Sequence, residues 1–152
     1  MLRVLLAAFH LIALGLGMGA VITRGNALRE PVSPGSLQRA FRADTLWGIA
    51  AALWIATGLW RLLGQTEKAT DYYTHNSFFI AKMCLFALIF VLEIQPMLTL
   101  IKWRRALRSS ARTADIVSPA AARRIAMVSH LQALLLVLMV FAATAMARGF
   151  GI

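Results

Sequence analysis

Four long apolar stretches constrain this chain more than any other feature. They cover roughly residues 4–23, 45–63, 77–100 and 125–147. A helix needs about 20 predominantly apolar residues to cross the ~30 Å hydrocarbon core of a bilayer. In that core only a helix or a closed barrel satisfies the backbone polar groups, and these Leu- and Ala-rich runs lack the alternation of barrel strands. The sequence therefore predicts an all-α integral membrane protein, with residues 1–152 forming a single four-helix bundle.

The composition and the placement of charge agree with a membrane protein. Charged residues make up only 14% of the chain, and eleven of the sixteen basic residues fall between helices 1 and 2 or between helices 3 and 4. These residues are Arg24, Arg29, Arg39, Arg42, Lys102, Arg104, Arg105, Arg108, Arg112, Arg123 and Arg124. The positive-inside rule then predicts a bacterial inner-membrane protein with both basic connections cytoplasmic and both termini periplasmic. We expect these charges to meet anionic lipid headgroups of the bilayer, and no nucleic acid.

Stripes of small residues indicate how the helices pack, because small side chains let membrane helices approach closely. The stripes are Gly15–Gly19 and Ala13–Gly17–Ala20 in helix 1, and Gly48–Ala52–Ala56 in helix 2. His10 shares a face with the second stripe of helix 1, so we expect it to point into the bundle. The pair Ser118-Pro119 is typical of an N-cap followed by the first residue of a helix, which predicts that helix 4 begins before the membrane.

Four ionisable residues fall inside the predicted spans: His10, Lys82, Glu93 and His130. Such residues cost about 2.5–3.5 kcal/mol on insertion scales and are therefore the first functional candidates. At 1.5 Å per residue, we expect His10 and Lys82 about 10 and 8 Å below the outer surface. Glu93 follows three helical turns deeper than Lys82, and His130 lies about 8 Å from the inner surface.

These depths predict two polar layers in the bundle. The outer layer contains His10, Lys82, Arg61, Tyr72, Tyr73 and His75, and the inner layer contains Glu93, His130, Gln95 and Gln132. The two buried histidines are then about 12 Å apart along the membrane normal, which is too far for both to bind one haem iron. Each of the four ionisable residues also has a purely structural interpretation: Lys82 reaches the outer interface, Glu93 and His130 form a pair or face the headgroups, and His10 bonds a neighbouring helix.

Several functional classes find no support in the sequence. The single cysteine, Cys84, cannot form a disulfide within the chain or a cysteine-based metal site. The chain has no Gly-x-Ser-x-Gly elbow, Walker loop, dinucleotide-binding fingerprint or His-Glu-x-x-His motif. Hydrolytic and nucleotide-dependent chemistry is therefore not expected.

Three motifs carry a resemblance to a known family. Asp44–Ala51 reads Asp-Thr-Leu-Trp-Gly-Ile-Ala-Ala, Thr57–Arg61 reads Thr-Gly-Leu-Trp-Arg, and Asn76–Met83 reads Asn-Ser-Phe-Phe-Ile-Ala-Lys-Met. They resemble a bacterial family of four-helix membrane proteins catalogued as domain of unknown function 2214. The resemblance extends to Tyr72-Tyr73, Pro96, Trp103-Arg104, Met146–Gly149 and the His10 segment, so it covers nearly the whole chain. It implies the same architecture.

Two shorter motifs carry a more distant similarity. Thr57-Gly-Leu-Trp60 and Ala81-Lys82-Met83 are similar to motifs of HemJ-type membrane protoporphyrinogen oxidases, and both these and CopD-type copper-resistance proteins place a histidine in an early helix. HemJ-type proteins are associated with haem b and porphyrinogen oxidation. The similarity implies that His10 is an axial haem ligand and Lys82 a catalytic partner near the tetrapyrrole. Helix 1 lacks the basic Tyr-His end of that type, and helix 3 lacks its final histidine.

The sequence leaves three hypotheses about function. They differ on whether the chain is an enzyme, and the sequence does not decide this question. In the first, the protein binds haem b or a porphyrin and passes electrons to a quinone, with His10 on the iron, Lys82 and Arg61 on the propionates and Trp54 and Trp60 lining the pocket. The alternative is a non-enzymatic accessory subunit or homo-oligomer, alone or in a larger membrane complex, with no cofactor. The third is a small proton-coupled carrier, although no inverted repeat is visible.

Overall fold

The structure is a computed structural model that describes residues 1–64, 75–109 and 116–151. Within these ranges the chain forms four long helices and no strand. They are α1 (Leu2–Arg29), α2 (Pro34–Leu63), α3 (Ser77–Arg108) and α4 (Pro119–Ala147). All four are long and apolar enough to cross a membrane. The prediction of an all-α four-helix membrane bundle is confirmed.

The helices extend well beyond the apolar runs, and this corrects the placement of several basic residues. Arg24 and Arg29 lie inside α1, and Arg39 and Arg42 lie inside α2, although the sequence suggested a connecting loop for all four. The reason is the start of α2: Ser33 and Ser36 form a reciprocal capping box, and a proline occupies the first turn. The basic residues predicted between helices 3 and 4 behave similarly, because those among the described residues lie in the end of α3 or the start of α4.

The start of α3 has a side-chain cap, and α4 starts at the predicted Ser-Pro pair. Asn76 precedes α3, and its side-chain oxygen accepts hydrogen bonds from the backbone of Phe78 and Phe79 at 3.0 and 3.2 Å. Its amide donates to the carbonyl oxygen of Phe150 at 3.0 Å, which joins the start of α3 to the C-terminal segment. Ser118 is the N-cap of α4, followed by Pro119 as predicted. The end of the bundle that carries both chain termini is called the terminal end below, and the opposite end the basic end.

The packing of the bundle is uneven. The helix α1 packs along α2 and also against α4, and α4 packs against α3, whereas α2 and α3 make very few contacts with each other. Trp47 and Trp54 of α2 fill the core together with Ala13 and Ala20 of α1 and Leu136 of α4. The few contacts between α2 and α3 leave a gap that is called the groove between α2 and α3, and the two cavities described below are lined in part by both helices.

Only one of the predicted small-residue stripes serves the interior. Ala13, Gly17 and Ala20 are buried, and a Cβ atom added at Gly17 would lie 2.9 Å from the Trp47 ring. Gly15 and Gly19 instead face outward, because they lie on the opposite side of α1. The α2 stripe of Gly48, Ala52 and Ala56 is also exposed, since the core positions of α2 are taken by tryptophans and other small residues. The expectation that these two stripes pack inside the bundle is wrong for this single chain.

Candidate functional site

A cavity of about 160 Å³ opens in the groove between α2 and α3 near the terminal end. It is lined mostly by apolar and aromatic side chains, with three basic residues among them. The lining residues are His10, Trp54, Ile55, Gly58, Leu59, Arg61, Leu62, Phe79, Lys82, Met83, Phe86, Met139 and Met146. All four helices contribute to the lining. Four residues predicted from the sequence as site residues, on three separate helices, lie together in this cavity: His10, Trp54, Arg61 and Lys82.

His10 is held in a defined orientation by α2. Its Nδ1 lies 2.9 Å from the hydroxyl oxygen of Thr57. The carbonyl oxygen of Leu53 lies 2.8 Å from that hydroxyl, and with the single hydroxyl proton directed to this carbonyl, the hydroxyl is an acceptor for an N–H at Nδ1 of the imidazole. We therefore assign the proton of the neutral ring to Nδ1. The lone pair then lies on Nε2, the nitrogen that accepts a proton or binds a metal.

Aromatic rings and a glycine shape the space around His10. The imidazole stacks on Trp54 with ring centroids 5.6 Å apart, and Phe86 of α3 meets the same indole edge-on at 5.7 Å. A Cβ atom at Gly58 would lie 3.1 Å from Cε1 of His10, so glycine makes the room that the imidazole uses. The buried indole Nε1 of Trp54 has no hydrogen-bond partner among the described residues. Such a donor is uncommon in a folded interior and is available to a ligand.

The other predicted residues of the outer layer are placed differently. Trp60 is 58% exposed and does not line the cavity, because it faces away from Trp54 on the lipid side of α2. His75 is exposed just before α3. Tyr72 and Tyr73 lie outside the described residues. The basic side chains at the cavity are thus His10, Arg61 and Lys82 in a largely apolar wall, an arrangement that suits a ring compound with negatively charged or carbonyl oxygens.

A second polar site lies toward the basic end and is centred on Arg24. This side chain is completely buried, and each of its five N–H groups has an acceptor. Glu93 accepts from both terminal nitrogens at 2.7 and 2.8 Å, and Asp44 accepts a third bond at 3.0 Å. Ser129 and Gln132 of α4 accept the remaining two at 3.0 and 2.8 Å. Arg24 therefore joins all four helices through one side chain.

The network continues from Asp44 to α3. The second carboxylate oxygen of Asp44 accepts from Arg104 at 2.9 Å, so this aspartate bridges two arginines. Gln132 donates back to Glu93 at 2.9 Å. Two arginines and two carboxylates make the network neutral, which is the condition for keeping charges away from water at moderate cost. Sequence analysis missed Arg24, although the spacing Ala13–Gly17–Ala20–Arg24 continues the buried stripe of α1.

His130 is not part of this network. Its Nδ1 lies 2.7 Å from the carbonyl oxygen of Ala126, and its Nε2 lies 3.0 Å from the side-chain oxygen of Asn26. The predicted pair of His130 with Glu93 is therefore not formed: His130 contacts Ala126 and Asn26, whereas Glu93 contacts Arg24 and Gln132. Gln95, predicted nearby, is exposed on α3.

His10 and His130, both half-buried, are farther apart than the sequence suggested. Asn26, which contacts His130, is sixteen residues beyond His10 along α1, or about 24 Å at 1.5 Å per residue. The predicted value of about 12 Å was too small because the helices extend further toward the basic end than the apolar runs. At this separation His10 and His130 cannot both bind one haem iron. Among the described residues, no three His, Cys, Asp or Glu side chains are grouped as a metal site.

Comparison with known proteins identifies the family. A family model described as "Predicted membrane protein (DUF2214)" matches residues 2–151. The chain belongs to this family. This confirms the resemblance drawn from the Asp44, Thr57 and Asn76 motifs and makes the protein a membrane protein whose surroundings are a lipid bilayer. No curated protein and no solved structure matches the chain.

Proposed function

We propose that the cavity at His10 binds the ring of a lipid-soluble redox compound, a quinone or a tetrapyrrole, and that the protein serves electron transfer in the membrane. The observation that carries this proposal is the common cavity of His10, Trp54, Arg61 and Lys82. The chain offers there two fixed aromatic faces, an oriented imidazole and two cationic side chains. The cavity lies in the groove between α2 and α3, so a ligand dissolved in the bilayer reaches it without crossing water.

The cavity volume favours a quinone headgroup. An apolar cavity of about 150 Å³ is known to hold a benzene ring, and the cavity of this protein measures about 160 Å³. A single substituted ring therefore fits, with its carbonyl oxygens near Lys82, Arg61 or the indole N–H of Trp54. The cations would stabilise negative charge on an oxygen of a bound ring, and His10 would be the residue that exchanges a proton with it.

The donor set favours haem b or a porphyrin, the second candidate. An imidazole whose Nδ1–H is anchored to a neighbouring acceptor is the usual form of a metal-binding histidine. Bound haem supplies one-electron chemistry, Arg61 and Lys82 suit its propionates, and Trp54 offers a stacking face. A tetrapyrrole is larger than the closed part of this cavity, so most of the macrocycle would occupy the groove between α2 and α3. Because of its size, the tetrapyrrole fits the cavity less well than a quinone headgroup.

The test is the content of the purified protein. We expect detergent-purified protein from haem-supplemented cells to retain either a Soret band with reduced α and β bands or a quinone in its organic extract. His10→Ala should lose this ligand, whereas His130→Ala, the same change at the opposite end of the bundle, should retain it. A wild-type protein with neither compound, or equal loss in both variants, would overturn the proposal.

The alternative function, a non-enzymatic subunit or homo-oligomer, is favoured by the outer face of α1. Nothing lies within 4 Å of a Cβ atom added at Gly15 or Gly19, so this Gly-x-x-x-Gly face is open to another membrane helix. Gly15→Leu with Gly19→Leu should then convert a dimer or larger complex into a monomer in detergent. If these changes alter the assembly and the purified wild type contains no ring compound, the second function replaces the first.

A further inference from the structure

A second cavity in the groove between α2 and α3 lies at the basic end and is unconnected with the His10 cavity. It measures about 560 Å³, which is in the range of small-molecule sites. Its lining residues are Gln38, Phe41, Arg42, Thr45, Arg104, Leu107 and Arg108. One wall comes from the first turns of α2 and the other from the last turns of α3, so the cavity is at the level where a membrane helix meets the headgroups.

The charge of this cavity is one-sided. Arg42, Arg104 and Arg108 line it, and no acidic residue does so among the described residues. Asp44, the carboxylate that contacts Arg104, also accepts a hydrogen bond from Arg24 through its other oxygen. Among the described residues, the lining of this cavity therefore carries an excess of positive charge. Such a concentration of positive charge attracts an anion.

Arg104 is fixed in position in a way that suits anion binding. Its Nη2 donates to Asp44 and to the carbonyl oxygen of Phe41, and its guanidinium lies 5.0 Å over the Phe41 ring. The side chain keeps 30% of its surface exposed. A guanidinium fixed in this way and still partly exposed is suited to a phosphate, because arginine binds phosphate oxygens through paired donors.

We propose that this cavity binds the headgroup of an anionic phospholipid from the surrounding bilayer. The phosphate would contact Arg104, with Arg42 and Arg108 supplying further positive charge. The apolar side chains of Phe41 and Leu107 meet the glycerol and the start of the acyl chains. A lipid is favoured over a free phosphate because the cavity opens along a groove between two membrane helices, and basic pockets between such helices are typical anionic-lipid sites.

The experiment compares two double variants with the same loss of charge. Arg42→Gln with Arg108→Gln removes the exposed arginines of the cavity, and Arg123→Gln with Arg124→Gln removes exposed arginines at the start of α4 that do not line it. Binding of phosphatidylglycerol and phosphatidylcholine is measured by native mass spectrometry of protein released from detergent. Neither pair belongs to the Arg24 network, and the helical circular dichroism signal checks that each variant is folded.

We expect the cavity variant to weaken phosphatidylglycerol binding by about tenfold or more, since a basic residue near a lipid surface contributes about a factor of five. The α4 variant and phosphatidylcholine binding should change by less than about twofold. Equal loss in the two double variants would show general charge attraction and overturn the site. Displacement of the lipid by millimolar inorganic phosphate would also overturn it, in favour of a soluble anion.

Discussion

Arg24 and Glu93, 69 positions apart in the chain, form a two-point ion pair with N–O distances of 2.7 and 2.8 Å. The arginine has no exposed surface. In the sequence Arg24 directly follows the apolar run of residues 4–23, which predicts that it belongs to a basic connection. In the structure it is the hub of a neutral network, which explains how a bundle with a weak contact between α2 and α3 keeps those helices in register.

Removing Arg24 should destabilise the bundle strongly. Arg24→Met leaves Glu93, whose side chain is 16% exposed, beside Gln132 without a counter-charge, and breaking one side of a buried pair costs about 3–5 kcal/mol. We expect this loss in the free energy of unfolding, measured by denaturant titration in detergent. Arg29→Met, the same change at an exposed position of α1, should cost less than about 0.5 kcal/mol.

The coupling between Arg24 and Glu93 is tested by a double-mutant cycle. Arg24→Met combined with Glu93→Gln leaves Asp44 paired with Arg104, so the remaining network is again neutral. The double variant should therefore be less destabilised than the sum of the two single variants by at least about 1 kcal/mol. Additive costs would mean that the two groups act independently, contrary to the observed geometry.

Two glycines of α1 should respond oppositely to alanine. At Gly25 an added Cβ atom would lie 2.6 Å from Cε1 of His130 and 3.2 Å from the Cβ of Ser129. Gly25→Ala should therefore cost about 1–3 kcal/mol through displacement of α4. At Gly19 nothing lies within 4 Å, so Gly19→Ala should be neutral or stabilise the helix by up to about 1 kcal/mol. Thermal unfolding in detergent measures both, and a shift of the same sign and size would contradict the packing.

The hydroxyl of Thr57 should affect ligand binding through His10. Thr57→Val removes the acceptor of the Nδ1 proton while keeping the shape of the side chain. Losing one such hydrogen bond, worth about 1 kcal/mol, should weaken ligand binding about fivefold. Thr57→Ser keeps the hydroxyl and should bind within about twofold of wild type. Ligand titration of the purified variants distinguishes these results. Equal binding by the valine and serine variants would show that the Thr57 hydroxyl does not contribute to ligand binding.

The sequence was sufficient for the architecture and for part of the site. Length and apolar composition predict the four helices, since those properties depend on each segment alone. The helical spacing of His10, Ala13 and Gly17 predicts which side of α1 faces the interior. Lys82 and Arg61 could be placed near the same membrane level from depth alone.

The Arg24 network could not be found by the same reasoning. Its acceptors lie 20, 69, 105 and 108 positions away, so no local pattern contains them. An arginine after an apolar run is ordinarily a boundary residue, and only the tertiary fold supplies partners for all its donors. The outward placement of Gly15 and Gly19 was equally hidden, because α1 has two small stripes and the choice depends on where Trp47 packs.

Blocking the His10 cavity without touching its polar groups tests the proposed function most directly. Gly58→Leu places a side chain beside His10, where even a Cβ atom would lie 3.1 Å from the imidazole, whereas Gly48→Leu makes the same change on α2 with nothing within 4 Å. The molar ratio of bound ring compound to protein is measured in both purified variants. We predict that Gly58→Leu loses most of the ligand and Gly48→Leu retains it; retention of a full equivalent by folded Gly58→Leu protein would contradict binding at His10.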